Sequence, residues 1–310
     1  MAYDIIGDIH GQADKLHALL NHLGYVDTNG AYRHPDRSAI FVGDFIDRGP
    51  LQIESVMTVR RMVDAGSAQA IMGNHEFNAI AWHCPDPEHH SEYLRPHDGE
   101  LGRKNRSQHA AFLAEVEDDP ALHAEMIDWF LTLPLWIDLP GVRVVHACWH
   151  DGYINEIRPH LTPELQLTRE LMISASRPGR MEFRTVEGLT KGLEIDLPVG
   201  HMFHDKDGHP RHNVRIRWWD TDATTYRELA MMPEDLRERL PTLPVARDAR
   251  SPYDNAKPVF FGHYWMTGQP VLQSSSAACV DYSAAKEGPL VAYRWDGEST
   301  LSNANFVSVG

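Results

Sequence analysis

The chain has 310 residues and carries 29 Lys and Arg against 44 Asp and Glu, a formal charge of -15. That balance repels a long polyanion unless cations cluster locally or bound metals reverse the field, so general nucleic-acid binding is disfavoured. The three cysteines, Cys84, Cys148 and Cys279, form no CxxC pair and leave an odd count, which indicates neither a disulfide framework nor a thiolate zinc site and fits a reducing cytoplasm.

The first strand begins near Tyr3 and reaches Asp8 at once, leaving no room for a basic segment, an apolar core and a cleavage site. No run approaches the ~18 apolar residues of a membrane helix, so a soluble cytoplasmic protein without a membrane partner is expected. After Gly11, Ala13, Leu16, Leu19, Leu20 and Leu23 recur at helical spacing, and Gly24 stands where a C-terminal cap belongs. A second strand over 40–42 follows. Pro50 then opens a second helix carrying Ile53, Val56, Met57, Arg60 and Val63, which Gly66 stops. A third strand covers 70–72. Strands alternating with helices predict an α/β fold with a largely parallel sheet and right-handed crossovers.

From 83 to 135 a polar His, Pro and Asp stretch gives way to helical patterning through Phe112, Val116, Met126, Trp129, Phe130 and Leu133, which reads as an inserted helical cap. A strand over 142–145 resumes the core. A second insertion over 152–258 contains a hairpin, PVGHMFHD, KDGH, PRHNVRIRWW. Strands over 259–261, 278–280 and 290–295 close one catalytic domain spanning 1–310, with no internal repeat.

Five apolar stretches run into polar residues of metal-ligand type: YDIIGDIHG, AIFVGDFIDRG, AIMGNHE, VRVVHAC and VFFGH. Each ends in Gly or directly in the polar residue, so the ligands line one sheet edge. Asp8 and His10, two apart, point to one side while Ile9 points into the core, and they share one cation. Asp44 bridges it to a second, which Asn74, His146 and His263 complete. Oxygen and imidazole ligands suit manganese, with iron, zinc, cobalt or nickel compatible, rather than calcium. Two such cations about 3.5 to 4 Å apart acidify a bridging water, hold phosphate oxygens and offset charge during in-line attack by the resulting hydroxide. His75, beside Asn74 but not needed as a ligand, is the natural general acid. Asp47 orients and charges its imidazole, and Arg48 grips the non-attacked oxygens in fork geometry.

These motifs resemble those of the calcineurin-type metallophosphoesterases, and most of all the phosphoprotein phosphatase branch in its bacterial form, whose three signatures are GDIHG, GDFIDRG and GNHE. The resemblance implies a two-sheet αβ sandwich, a binuclear metal centre and hydrolysis without a covalent phosphoenzyme. It covers 1–80 strongly, 142–150 and 259–295 moderately, and the insertions hardly at all. In the eukaryotic members an Arg stands two residues past the GNHE Glu, where this chain has Asn78, so another cation must grip phosphate there or the grip is weaker. Ala147 and Cys148 replace frequent glycines, and Cys148 is read as packing. Asp47 and Glu76 favour the monoester branch over the related diadenosine tetraphosphate hydrolases.

Other clusters read as structural in the first instance. His201, His204, Asp205, Asp207 and His209 surround a KDG turn, and Trp218 and Trp219 anchor the hairpin rather than stack on a substrate. Arg177, Arg180, Arg184, Lys191, Arg211, Arg215 and Arg217 concentrate positive charge, and one or two of them can supply the missing cation if the insertion folds over the centre. His83, His89, His90 and His97 lie near the cleft. The leading expectation is a phosphomonoester hydrolase acting on a phosphorylated protein or small phosphoester. A diadenosine tetraphosphate or cyclic-nucleotide hydrolase and a non-catalytic scaffold are the alternatives, and the oligomeric state is left open.

Overall fold

The apolar stretches become short strands buried on both faces, as continuous rather than alternating apolar runs require. The computed structural model describes residues 2–90, 92–204 and 208–310. One sheet runs in the order Phe306–Val309, Leu290–Trp295, Ala2–Ile6, Arg37–Phe41, Ala68–Ala70, and the other in the order Ala277–Cys279, Val259–Phe261, Arg143–Val145, Trp136–Asp138. Between them Tyr3, Ile5, Ile40 and Val42 of the first meet Val144, Phe260 and Ala278 of the second in one core. The rings of Phe260 and Tyr293 lie 4.9 Å apart across it.

The alternate strand positions face helices. Ile6, Ala39 and Phe41 pack in a second core with Leu16, Leu19 and Leu20 of helix Ala13–Leu23 and with Val56, Val59 and Met62 of helix Gln52–Asp64. The first helix stops at Gly24, whose φ of 94° and N–H to the Asn21 carbonyl form the expected cap. This is the αβ sandwich that the sequence leads one to expect, with one correction: both sheets are mixed. Pairing is parallel among Ala2–Ile6, Arg37–Phe41 and Ala68–Ala70, and among Arg143–Val145, Val259–Phe261 and Ala277–Cys279, but antiparallel at Trp136–Asp138 and along the two C-terminal strands. A strand that leaves through a helix returns parallel, whereas one that leaves through a short turn returns antiparallel.

Two further elements escape the strand pattern. Val26–Thr28 pairs with Ala31–Arg33 across Asn29 and Gly30, both at positive φ, a hairpin whose signal is the Asn-Gly pair itself. The helix Asn74–His83 begins inside the third motif. Helices Gly99–Val116 and Pro120–Leu131 follow it and bury Phe112, Val116, Met126, Trp129 and Phe130. In the second insertion, Phe203–His204 pairs with Pro210–Arg211, but Asn213–Arg215 pairs instead with Glu194–Asp196, so the expected single hairpin is split between two small sheets. Asp205, Lys206 and Asp207 of its turn lie outside the described residues. Among the described residues no helix is long and apolar enough to cross a membrane, and all three cysteines are free and buried.

Trp218 and Trp219 are core residues. Trp218 is 1% exposed, donates Nε1–H to the Ala147 carbonyl at 3.0 Å and packs on Phe261 with ring centroids 5.0 Å apart. Trp218→Ala should therefore lower the unfolding free energy by about 3–5 kcal/mol in urea titrations. A loss below about 1 kcal/mol would contradict this packing role.

Candidate metal centre and active site

The two sets of parallel strands carry their C-terminal ends to one place, the usual position of a ligand crevice in open α/β sheets. Strand Ala2–Ile6 ends before Asp8, so Asp8 and His10 are not alternate positions of a strand as expected. The chain turns instead, and the N–H groups of Ile9 and His10 both donate to the Asp44 carbonyl, at 3.0 and 2.9 Å. Ile9 still faces the core. His10, Asp44, Asp47, Arg48 and His263 have φ of 47°, 54°, 71°, 74° and 71°, a left-handed region that costs non-glycine residues roughly 1–3 kcal/mol each and clusters at functional sites. The backbone is pressed against the carboxylates. A Cβ on Gly73 would lie 2.2 Å from Asp44 Oδ1, and one on Gly262 would lie 1.9 Å from Asp8 Oδ1.

All six residues expected as ligands are brought together. Asp44 Oδ2 lies 3.3 Å from His146 Nε2 and 3.7 Å from His10 Nε2. Asn74 Oδ1 lies 2.7 Å from His263 Nδ1 and 3.2 Å from His146 Nε2. Asp8 Oδ2 accepts the His263 N–H at 2.9 Å, while its Oδ1 is buried without a partner. Ligand atoms of His10, Asp44 and His75, and separately of Asp44, His146 and His263, lie within 4.8 Å of one another, so Asp44 belongs to both groups. His10 Nδ1–H donates to the Ile46 carbonyl at 2.8 Å and His146 Nδ1–H to the Val42 carbonyl at 2.7 Å. These bonds orient each ring and turn each Nε2 inward, where a metal ligand belongs. Burial works against a charged His146, but Asp44 pushes it up to about 10, so its Nε2 carries a proton that a bound cation would displace.

The electrostatics agree. Burial, with Asp281 adding like charge, raises the Asp8 carboxyl well above the usual carboxylate range. Burial and the neighbouring His75 push His10 down to about 3, which keeps it neutral. Burial works against the Asp44 carboxylate, but His146 and His75 outweigh it and hold Asp44 well below its usual value. The orphaned Asp8 oxygen, the inward imidazole nitrogens and three buried carboxylates fit divalent cations, whose charge relieves the crowding of Asp8, Asp44 and Asp281. The donor set, without sulfur, matches manganese, iron, zinc, cobalt or nickel.

His75 stands beside this cluster. Its Nδ1 is 2.5 Å from Asp47 Oδ2, and its Nε2 is 3.9 Å from Asp44 Oδ2. Burial disfavours the imidazolium, but Asp44 and Asp47 prevail and raise its pKa. Arg48 sets Nη1 3.0 Å from His10 Nε2 and Nη2 3.3 Å from His75 Nε2, and its guanidinium stacks 3.9 Å from the Trp265 ring centroid.

Sequence reasoning missed several contributors. Glu76 does more than mark a branch: its carboxylate accepts the N–H groups of Asp44 and Phe45 at 2.8 Å and of Gly73 at 3.0 Å, tying the second motif to the third. Asp281, just past strand Ala277–Cys279, is buried and accepts the N–H groups of Trp265 and Ser283. The strand-end rule applied to a sixth strand would have found it. His109, on helix Gly99–Val116, donates Nδ1–H to Asp47 Oδ1 at 2.7 Å. Arg95 bonds Asn78. Neither had a motif to announce it.

These groups open onto a cleft of about 1330 Å³ whose walls include Arg48, Arg95, Lys191, Arg215 and Trp265. Two of the seven expected cations, Lys191 and Arg215, thus reach it. Arg177 and Arg184 pair elsewhere, with Asp86 and Glu156. The four histidines of the segment after the third motif do not line it: His83 packs on His123, His89 bonds Asp86, His90 is exposed, and His97 stacks on Trp82. Cys148 is fully buried, as a packing residue should be. Among the described residues His201, His204 and His209 form no metal-type group, and Asp205 and Asp207 are outside them.

The chain belongs to the calcineurin-like phosphoesterase family, whose profile matches residues 1–220. It is 47% identical over 76 residues to the bis(5'-nucleosyl)-tetraphosphatase PrpE of Halalkalibacterium halodurans, a match covering 24% of this chain and 31% of that protein. Similarity to the protein of the same name in Bacillus cereus strain AH187 is 45% over 165 residues, 50% of this chain and 61% of the relative. The chain thus spans less than two thirds of these relatives. A cold-active protein-tyrosine phosphatase of a psychrophilic Shewanella species superposes with a TM-score of 0.47 at 16% identity, over 100% of this chain and 80% of that one.

Asp44→Asn should reduce manganese retained after dialysis by about tenfold or more, read by elemental analysis, since it removes the carboxylate common to both groups. Glu76→Gln should cost about 1–3 kcal/mol of stability in urea titrations, because one of the two accepting oxygens becomes an NH2 donor that faces a backbone N–H. Wild-type metal content in the first or a wild-type midpoint in the second would contradict these roles.

Proposed function

We propose that the protein is a metal-dependent phosphatase of the phosphoprotein phosphatase type that cleaves phosphomonoesters, including phosphorylated Ser, Thr or Tyr in proteins. Two divalent ions, one at Asp8, His10 and Asp44 and one at Asp44, Asn74, His146 and His263, would supply an acidified water and offset charge on the phosphate oxygens. The chain's own residues do the rest. Arg48 offers two parallel N–H groups to the non-reacting oxygens. His75, protonated on both nitrogens, keeps Nδ1–H on Asp47 Oδ2 and delivers the Nε2 proton to the departing oxygen, with Asp47 held in place by His109.

One observation carries this reading: the 2.5 Å His75 to Asp47 pair beside Asp44. A protonated imidazole is needed where the leaving group is a strongly basic alkoxide, as in a Ser or Thr phosphate. A nucleotide phosphate leaves with a pKa of about 6 and needs no acid. The second reading, a dinucleoside tetraphosphate hydrolase, is favoured by the names of the relatives and by Lys191 and Arg215 on the cleft walls, where they suit a longer polyphosphate.

With manganese added, turnover of a phosphopeptide should exceed that of diadenosine tetraphosphate, and the reverse order would overturn the monoester reading. His75→Asn should cost about 10²–10⁴ in kcat on an alkyl phosphate and much less on p-nitrophenyl phosphate, whose leaving group departs without a proton. Equal losses on both would exclude the acid role.

A further inference from the structure

Of the cations on the cleft wall, two differ from the rest. Lys191 pairs with Glu187, and Arg215 pairs with Glu194 at 3.4 Å. Arg48 and Arg95 make no ion pair with any described carboxylate. Arg48 contacts the Nε2 atoms of His10 and His75, and Arg95 gives Nη1–H to Asn78 Oδ1 and Nη2–H to Gln108 Oε1, both at 2.8 Å. Neutral amide oxygens orient a guanidinium without cancelling its charge. In a chain of net charge -15, two guanidinium groups that face one cleft without a carboxylate in direct contact are arranged for an anion.

The segment bearing Arg95 is firmly held. The Arg95 N–H bonds the Ala81 carbonyl, the Leu94 N–H bonds the Cys84 carbonyl, and Asn105 Nδ2 bonds the Pro96 carbonyl, each at 3.0 Å. The His97 ring stacks between Trp82 and Tyr93 at 3.7 and 3.9 Å. Asn78 lies three residues beyond His75 on the same helix, hence on the same face one turn away.

We propose that Arg95 is the second phosphate-gripping cation of the site, delivered by the polar segment after the third motif and aimed by Asn78 and Gln108. Its ligand is the doubly negative terminal phosphoryl group, whose outer oxygens it holds alongside Arg48. The proposal rests on the reading of the cleft as a phosphate site. Asn78 thereby changes from the place of a lost cation to the rest that positions its replacement.

The test is inorganic phosphate binding to the manganese-loaded full chain by titration calorimetry, which needs no turnover. Arg95→Gln should weaken phosphate binding by about tenfold or more with metal content and melting temperature unchanged. Arg95→Lys, which keeps the charge but loses the fork, should fall between, and the double variant R95Q/N78R should regain most of the affinity. In kinetics R95Q should lose more on a dianionic monoester than on a monoanionic bis(p-nitrophenyl) phosphate. Phosphate binding by R95Q within about twofold of wild type, or equal kinetic losses on both esters, overturns the proposal. If R95Q does not fold, R95K and Asn78→Ala decide: wild-type phosphate affinity in both overturns it. A wild-type chain that binds phosphate but hydrolyses no monoester would sink the function proposed above and leave this one standing.

Discussion

A buried carboxylate at Asp44 is the constraint on which the site depends. Removed from water, it keeps its charge only through the groups that surround it, and those come from every part of the fold: His146 from the second sheet, His75 from the helix after the third motif, and the turn carrying His10. Its backbone is equally committed. Its carbonyl takes two N–H groups from the first motif, and its own N–H is held by Glu76. Moving any one of the first three motifs therefore disturbs the other two.

The unusual dihedrals follow from the same constraint. Asp44 and four residues around it adopt left-handed backbone conformations that non-glycine residues avoid, and glycines stand where a Cβ would strike a carboxylate. The two-core sandwich holds this arrangement from behind. Strands with apolar residues on both faces tie the strand ends to helices on one side and to the opposing sheet on the other, and they leave the loops little freedom to relax.

Around this centre the two insertions contribute unequally. The segment after the third motif sends His109 to Asp47 and Arg95 to Asn78, while the second insertion brings Lys191 and Arg215 to the cleft walls. Both regions diverge from any motif, so the part of the site that would choose a substrate is the part least constrained by the metal chemistry.

The sequence by itself determined the αβ fold, the first two helices and their caps, and the convergence of Asp8, His10, Asp44, Asn74, His146 and His263. These follow from local rules: a doubly buried strand is a short apolar run, and the residue at its end is displayed at the sheet edge. Only the tertiary structure decided that the sheets are mixed and that His109, Arg95 and Asp281 stand beside the site. Of these Asp281 was within reach of the strand-end rule. His109 and Arg95 were not, because a helix face and a loop far along the chain meet Asp47 and Asn78 only through packing, and no spacing in the sequence records a contact made across the fold.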